Sequence, residues 1–193
     1  TLRRSSAASD VYKRQGDDLG IFEIDVELDF KSTEKNDYIL GSTNNDVISG
    51  NGGDDYLMSR SGEDNLNGGS GNDVLKGGYG DDYLKGDSGK DKLYGGVGED
   101  TLYGGSSADK LYGEDGDDYL DGGTSKDKLY GGDGNDELHG GTGKDFLRGG
   151  EDEDTLYGDG GNDKLKAGDG NDILVGGLGK DNLYGGSGND VFK

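Results

Sequence analysis

The residues best suited to chemistry in this 193-residue chain are aspartates, and their spacing is strict. From residue 37 they recur every nine positions: Asp37, Asp46, Asp55, Asp64, Asp73, Asp82, Asp91, Asp100, Asp109, Asp118, Asp127, Asp136, Asp145, Asp154, Asp163, Asp172, Asp181 and Asp190. No insertion breaks the register. Carboxylates repeated beside glycine suit a hard cation. Ca2+ takes roughly six to eight oxygens and accepts backbone carbonyls among them, whereas Mg2+ sheds its water reluctantly and fits such a cage poorly.

Two residues after each aspartate stands a large apolar residue, from Ile39 and Ile48 through a run of leucines to Leu183 and Phe192. Glycines fill the positions five, four and two before most of the aspartates, as in Gly131-Gly132-Asp133-Gly134-Asn135-Asp136-Glu137-Leu138-His139. With this unit numbered one to nine, the aspartate is at position six and the apolar residue at position eight. Glycine permits positive φ and close backbone approach, so positions one to six read as a tight turn with inward carbonyls. Positions seven to nine, such as Lys128-Leu129-Tyr130, read as a three-residue strand with its middle side chain on one face. Strands this short need parallel stacking to bury a shared leucine column. The candidate metal ligands are therefore the aspartates from Asp46 to Asp190, with turn carbonyls such as those of Gly69, Gly71, Gly78, Gly80, Gly96, Gly98, Gly132, Gly134, Gly141, Gly143, Gly168, Gly170, Gly177 and Gly179.

The pattern G-G-x-G-x-D-x-(large apolar)-x, in unbroken register over residues 37–193, resembles the calcium-binding nonapeptide repeats of the RTX proteins. The resemblance implies an all-β fold, a parallel β-roll (right-handed β-solenoid) with two nonapeptides per coil. Aspartates eighteen residues apart would then stack on two ladders, one from Asp37 to Asp181 and one from Asp46 to Asp190, with several calcium ions between the turns. The resemblance also implies export in an unfolded state through a one-step channel of Gram-negative bacteria. It implies a secreted or cell-surface location and an upstream passenger domain in the same chain. The repeats would fold on calcium outside the cell and stabilise or assist secretion of that passenger. The alternative is a surface adhesin, or a carbohydrate-contacting module of an extracellular enzyme.

Composition agrees with a cation-dependent fold. The formal net charge is −22 and only 27% of residues are hydrophobic. So little apolar surface is sparse against the entropy of ordering the chain. The acidity argues against nucleic acid or an anionic membrane surface as partner, and no apolar run is long enough to span a bilayer. The absence of cysteine removes disulfides and thiolate metal sites. His139, the one histidine, stands at an outward ninth position, and no catalytic set forms around it. Glycine-rich matches to nucleotide-binding loops arise from the repeat itself and precede no helical pattern. Tyrosines recur at ninth positions (Tyr94, Tyr103, Tyr112, Tyr130, Tyr157, Tyr184) and read first as exposed strand packing.

Two segments precede the repeats. Residues 5–15 can be back-translated into a string that resembles a sequencing adapter read in frame, so residues 1–15 are expected to be non-native. Within residues 16–36, Phe22, Ile24, Val26, Leu28 and Phe30 alternate with mostly acidic residues. That pattern reads as one strand, either a cap on the first coil or the end of a lost upstream domain. Several turns depart from the glycine pattern: Asn44, Ser59-Arg60-Ser61, Ser107, Ser125, Glu151-Asp152-Glu153 and Ala167. Calcium sites near 60, 107–125 and 152 are expected to be weakened.

Overall fold

A computed structural model describes residues 20–23 and 29–193. The leader 1–15 lies outside the described residues. Among the described residues every regular element is a strand, so no helix is long and apolar enough to cross a membrane.

The strands form two parallel sheets, and successive strands alternate between them. The first sheet holds ten strands, beginning Gly20–Glu23, Asp37–Leu40, Tyr56–Ser61 and Val74–Tyr79, and ending Lys164–Asp169 and Asn182–Ser187. The second runs from Asp29–Lys31 through Val47–Ser49 and Asn65–Ser70 to Val191–Phe192, with three two-residue strands beside its path. Register is set by the repeat: Leu93 pairs with Leu111, and Leu111 with Leu129. The second sheet does the same with Leu84, Leu102 and Leu120. Two nonapeptides therefore make one coil, and each strand stacks on the strand eighteen residues away.

The core is the position-eight column. Ile39, Ile48 and the leucines from Leu57 to Leu174 are at most 1% exposed, and Ala167 joins them from position one. The column weakens at its far end. Leu183 is only partly buried, and Phe192, on the terminal strand of the second sheet, is 53% exposed. A terminal strand has a neighbour on one side only.

Two expectations need correction. The strands are not limited to positions seven to nine. Lys92–Val97 and Thr101–Ser106 run from position seven through position three of the next unit, leaving Gly98-Glu99-Asp100 as the turn. Parallel pairing continues across the glycine pair, with Gly78 opposite Gly96, so those glycines belong to the sheet. Likewise, of the strand expected from the Phe22–Phe30 alternation, residues 24–28 lie outside the described residues, and its described ends belong to different sheets. Gly20–Glu23 pairs with Asp37–Leu40 in the first sheet, and Asp29–Lys31 pairs with Val47–Ser49 in the second.

Close stacking explains the glycine at position four. A Cβ on Gly89, whose φ is +137°, would lie 1.4 Å from the carbonyl oxygen of Gly71 in the coil below. From residue 50 onward the left-handed backbone persists where glycine is replaced: Asn51, Arg60, Asp87, Glu114 and Asp159 hold it at position two, and Ser107, Ser125 and Asp152 at position four. A side chain held there costs on the order of 1 kcal/mol or more. Gly89→Ala should therefore lower the melting temperature of the calcium-loaded protein, and Ser107→Gly should raise it by a few degrees. Thermal melts by circular dichroism check both; a neutral Gly89→Ala would contradict the stacking.

Candidate metal centre

Each turn ends on an aspartate whose backbone and side chain serve different neighbours. The N–H of Asp82 donates to Oδ1 of Asp100 at 2.8 Å, and the N–H of Asp100 donates to Oδ1 of Asp118 at 2.8 Å. The other ladder repeats this through Asp91, Asp109, Asp127 and Asp145. Both expected ladders are present, and they stay regular to Asp181 and Asp190, whose Oδ1 atoms accept from Asp163 and Asp172 at 2.9 and 3.3 Å. The inward Oδ1 thus fixes the coil-to-coil register.

The second oxygen has no such role. Oδ2 of all fourteen aspartates from Asp55 to Asp172 is buried and has no hydrogen-bond partner. An unsatisfied buried acceptor is costly, and an ionised one more so. These oxygens lie over the position-one glycines. A Cβ on Gly77 would fall 2.2 Å from Asp82 Oδ2 and 2.8 Å from the carbonyl oxygen of Gly95 in the next coil. The same pair recurs as Asp100 Oδ2 with the Gly113 carbonyl beside Gly95, and as Asp118 Oδ2 with the Gly131 carbonyl beside Gly113. Position-one glycine keeps a notch open between two oxygens.

The expected carbonyl ligands divide into two groups. Position-four carbonyls of Gly71, Gly80, Gly98, Gly134 and Gly170 lie outside the strands and accept no backbone hydrogen bond. Position-two carbonyls face the next coil, and that of Gly141 already accepts the N–H of Gly160 at 2.9 Å. Gly69, Gly78, Gly96, Gly132 and Gly168 lie within strands of the sheets, whereas Gly177 lies outside them. Gly143 and Gly179 sit on two-residue strands. The position-one carbonyls were missed at the sequence level, because their approach to Oδ2 comes from the coil eighteen residues on. Among the described residues no cluster of three or more His, Cys, Asp or Glu side chains is placed to hold a metal. An ion here must draw on backbone oxygens and few carboxylates. Rich in oxygen and poor in donors, this environment fits Ca2+ rather than a softer metal.

The irregular turns keep the same geometry. Asp64, Asp109, Asp127 and Asp154, beside the substitutions at 60, 107, 125 and 152, all have the orphaned Oδ2. Ser59 is fully buried at position one and donates its hydroxyl to the carbonyl of Gly77 at 2.7 Å. The first two turns differ. Ser42 donates its N–H to Asp46 Oδ2 at 2.7 Å, with its hydroxyl 3.2 Å from both carboxylate oxygens. Thr33 donates its N–H and its hydroxyl to Asp37 Oδ2, each at 2.9 Å. Protein groups there supply what the later turns lack. His139 lies far from this chemistry, on the outward face of the second sheet, with Nε2 2.8 Å from Glu137 and its ring stacked on Tyr157.

Burial pushes the ladder carboxyls up, opposed by the N–H bond from the previous coil and reinforced by neighbouring carboxylates. Asp118 and Asp154 rise to about 8, Asp82 and Asp136 to about 7, and Asp73 to about 6. The ordinary carboxylate value is about 3.9. A raised folded-state value means the metal-free coil favours protonated aspartate. That stabilisation is complete below the ordinary value and is lost as pH rises through about 6 to 8.

The family described as RTX calcium-binding nonapeptide repeat (4 copies) matches residues 32–66, 59–93, 67–102, 94–129, 130–165 and 157–192. No curated protein matches the chain.

Two outcomes are expected. Chelated protein should gain strand signal in far-ultraviolet circular dichroism as pH falls from 8.5 to 5; unchanged spectra would contradict the sign of the shift. Asp118→Asn should raise the calcium concentration for half-maximal folding by about tenfold through the lost ligand charge, whereas Asp46→Asn, whose carboxylate Ser42 already satisfies, should change it far less. Equal effects in a calcium titration would count against the distinction.

Proposed function

The chain belongs to the RTX calcium-binding nonapeptide-repeat family, and on that premise we propose that it is a calcium-operated folding module. Several ions bind between successive turns, held by Oδ2 of the aspartates from Asp55 to Asp172 and by turn carbonyls at positions one and four. The observation that carries this reading is the row of fourteen buried Oδ2 atoms without a partner. Calcium supplies charge that converts repulsion along each ladder into attraction, and metal binding then becomes folding free energy. Without it, one buried leucine in every nine residues is too little to order the coil.

In this proposal the module is unfolded at the low calcium of a cytosol and folds at the higher calcium outside a cell. It is exported unfolded, acts at the cell surface or in the medium, and stabilises a domain elsewhere in the same chain. Its own role is structural; any catalysis belongs to that attached domain. The expected experiment is a far-ultraviolet circular dichroism titration of the full chain. Calcium converts coil to strand, chelator reverses it, and Mg2+ at equal concentration does not substitute. A strand spectrum unaffected by chelator at neutral pH would overturn the proposal.

A further inference from the structure

The two outward faces differ in a way the calcium ladders do not require. On the first sheet, positions seven and nine from Tyr56 to Tyr184 hold no aspartate or glutamate, although the chain carries 42 such residues; the acids on these strands, Glu114, Asp115, Asp133, Glu151 and Asp169, stand at positions two and three. Seven of the places at positions seven and nine are basic: Lys76, Lys92, Lys110, Lys128, Arg148, Lys164 and Lys166. On the second sheet the same positions include Asp121 and Glu137. Lys92 lies directly opposite Lys110, and Lys110 opposite Lys128. All three are exposed, and among the described residues none is in an ion pair. Like charges placed directly across neighbouring strands are destabilising, so this row lowers the stability of the sheet that carries it.

Beside the lysines runs a row of tyrosines. Tyr94 and Tyr112 stack with centroids 4.9 Å apart and planes 5° apart, and Tyr112 and Tyr130 with centroids 4.9 Å apart and planes 4° apart. The three coils holding Lys92, Lys110 and Lys128 thus each offer one ammonium and one phenol at a fixed repeat. A regular ladder of donors suits a ligand with regularly repeated acceptors. The rings already stack on one another, so they leave few open faces for nucleobases, on which binding of single-stranded nucleic acid relies. An acidic sugar polymer needs only cations and hydroxyl donors.

We propose that the outward face of the first sheet, centred on Lys92, Lys110 and Lys128 with Tyr94, Tyr112 and Tyr130, binds a linear anionic polysaccharide. Binding rests on the calcium-folded state, because only that state aligns the row, and because bound calcium offsets the −22 charge that would otherwise repel a polyanion.

The test uses the full chain in calcium with chondroitin sulfate as probe, and with neutral dextran and an oligothymidylate for comparison. Wild type should bind chondroitin sulfate with an affinity that falls as salt rises, and should bind dextran far more weakly. Combined K92E, K110E and K128E should weaken binding by at least about tenfold, as expected for losing several desolvated charge contacts. Lys85→Glu on the second sheet should not. Each variant must keep its calcium-induced strand spectrum, which separates failure of this site from failure of the folding module. No binding by folded wild type, binding indifferent to the charge reversals, equal affinity for dextran, or preference for the oligothymidylate would each overturn the proposal.

Discussion

The structure depends on one unresolved interaction, the second oxygen of each ladder aspartate. Oδ1 is spent on the N–H of the coil below, at 2.7–3.3 Å along both ladders. Oδ2 is buried with nothing donating to it. The chain could satisfy that oxygen internally, and does so at Asp46 with Ser42 and at Asp37 with Thr33. In the turns from Asp55 to Asp172 it does not. A glycine stands at position one in most of these turns and keeps the space beside the oxygen open. An oxygen-rich site with no donor is a poor home for a neutral ligand and a suitable one for a divalent cation.

The rest of the architecture serves that repetition. Leucines at position eight supply a dry column but little of it, and six-residue strands carry the hydrogen bonding through the glycine pair. Backbone approach at position four is so close that Cα hydrogens face carbonyl oxygens, as between Gly89 and Gly71. Such packing fixes the vertical distance between aspartates, and the same distance governs both repulsion in the empty coil and ion sharing in the filled one. Serine at 107 and 125 and aspartate at 152 keep the backbone path at a conformational cost, so these turns differ from their neighbours in strain more than in shape.

Much of this was legible in the sequence because the period is exact. The nine-residue spacing of Asp37 to Asp190 set the aspartates in register, the resemblance to the RTX repeats implied their two ladders, and the apolar residue two positions later marked the core. Strand length was not legible: Gly95 and Gly96 read as turn residues, and only pairing across coils makes them strand. The two-strand division of residues 20–31 was equally hidden, since their alternation fits one continuous strand. The capping of Asp46 by Ser42 depends on a four-residue local turn that the repeat pattern obscures. Segregation of lysine to one face was also missed. It becomes visible only when residues eighteen apart are placed side by side, as Lys92, Lys110 and Lys128 are.

The most direct test of the central claim is a crystal structure grown in calcium, with the ions located by their anomalous scattering. The account predicts density for an ion within about 2.3–2.6 Å of Oδ2 along both ladders from Asp55 to Asp172, with turn carbonyls completing each shell, and none at Asp37. Ions confined to the surface acids, with the ladder Oδ2 atoms still unpartnered or bonded only to water, would contradict it.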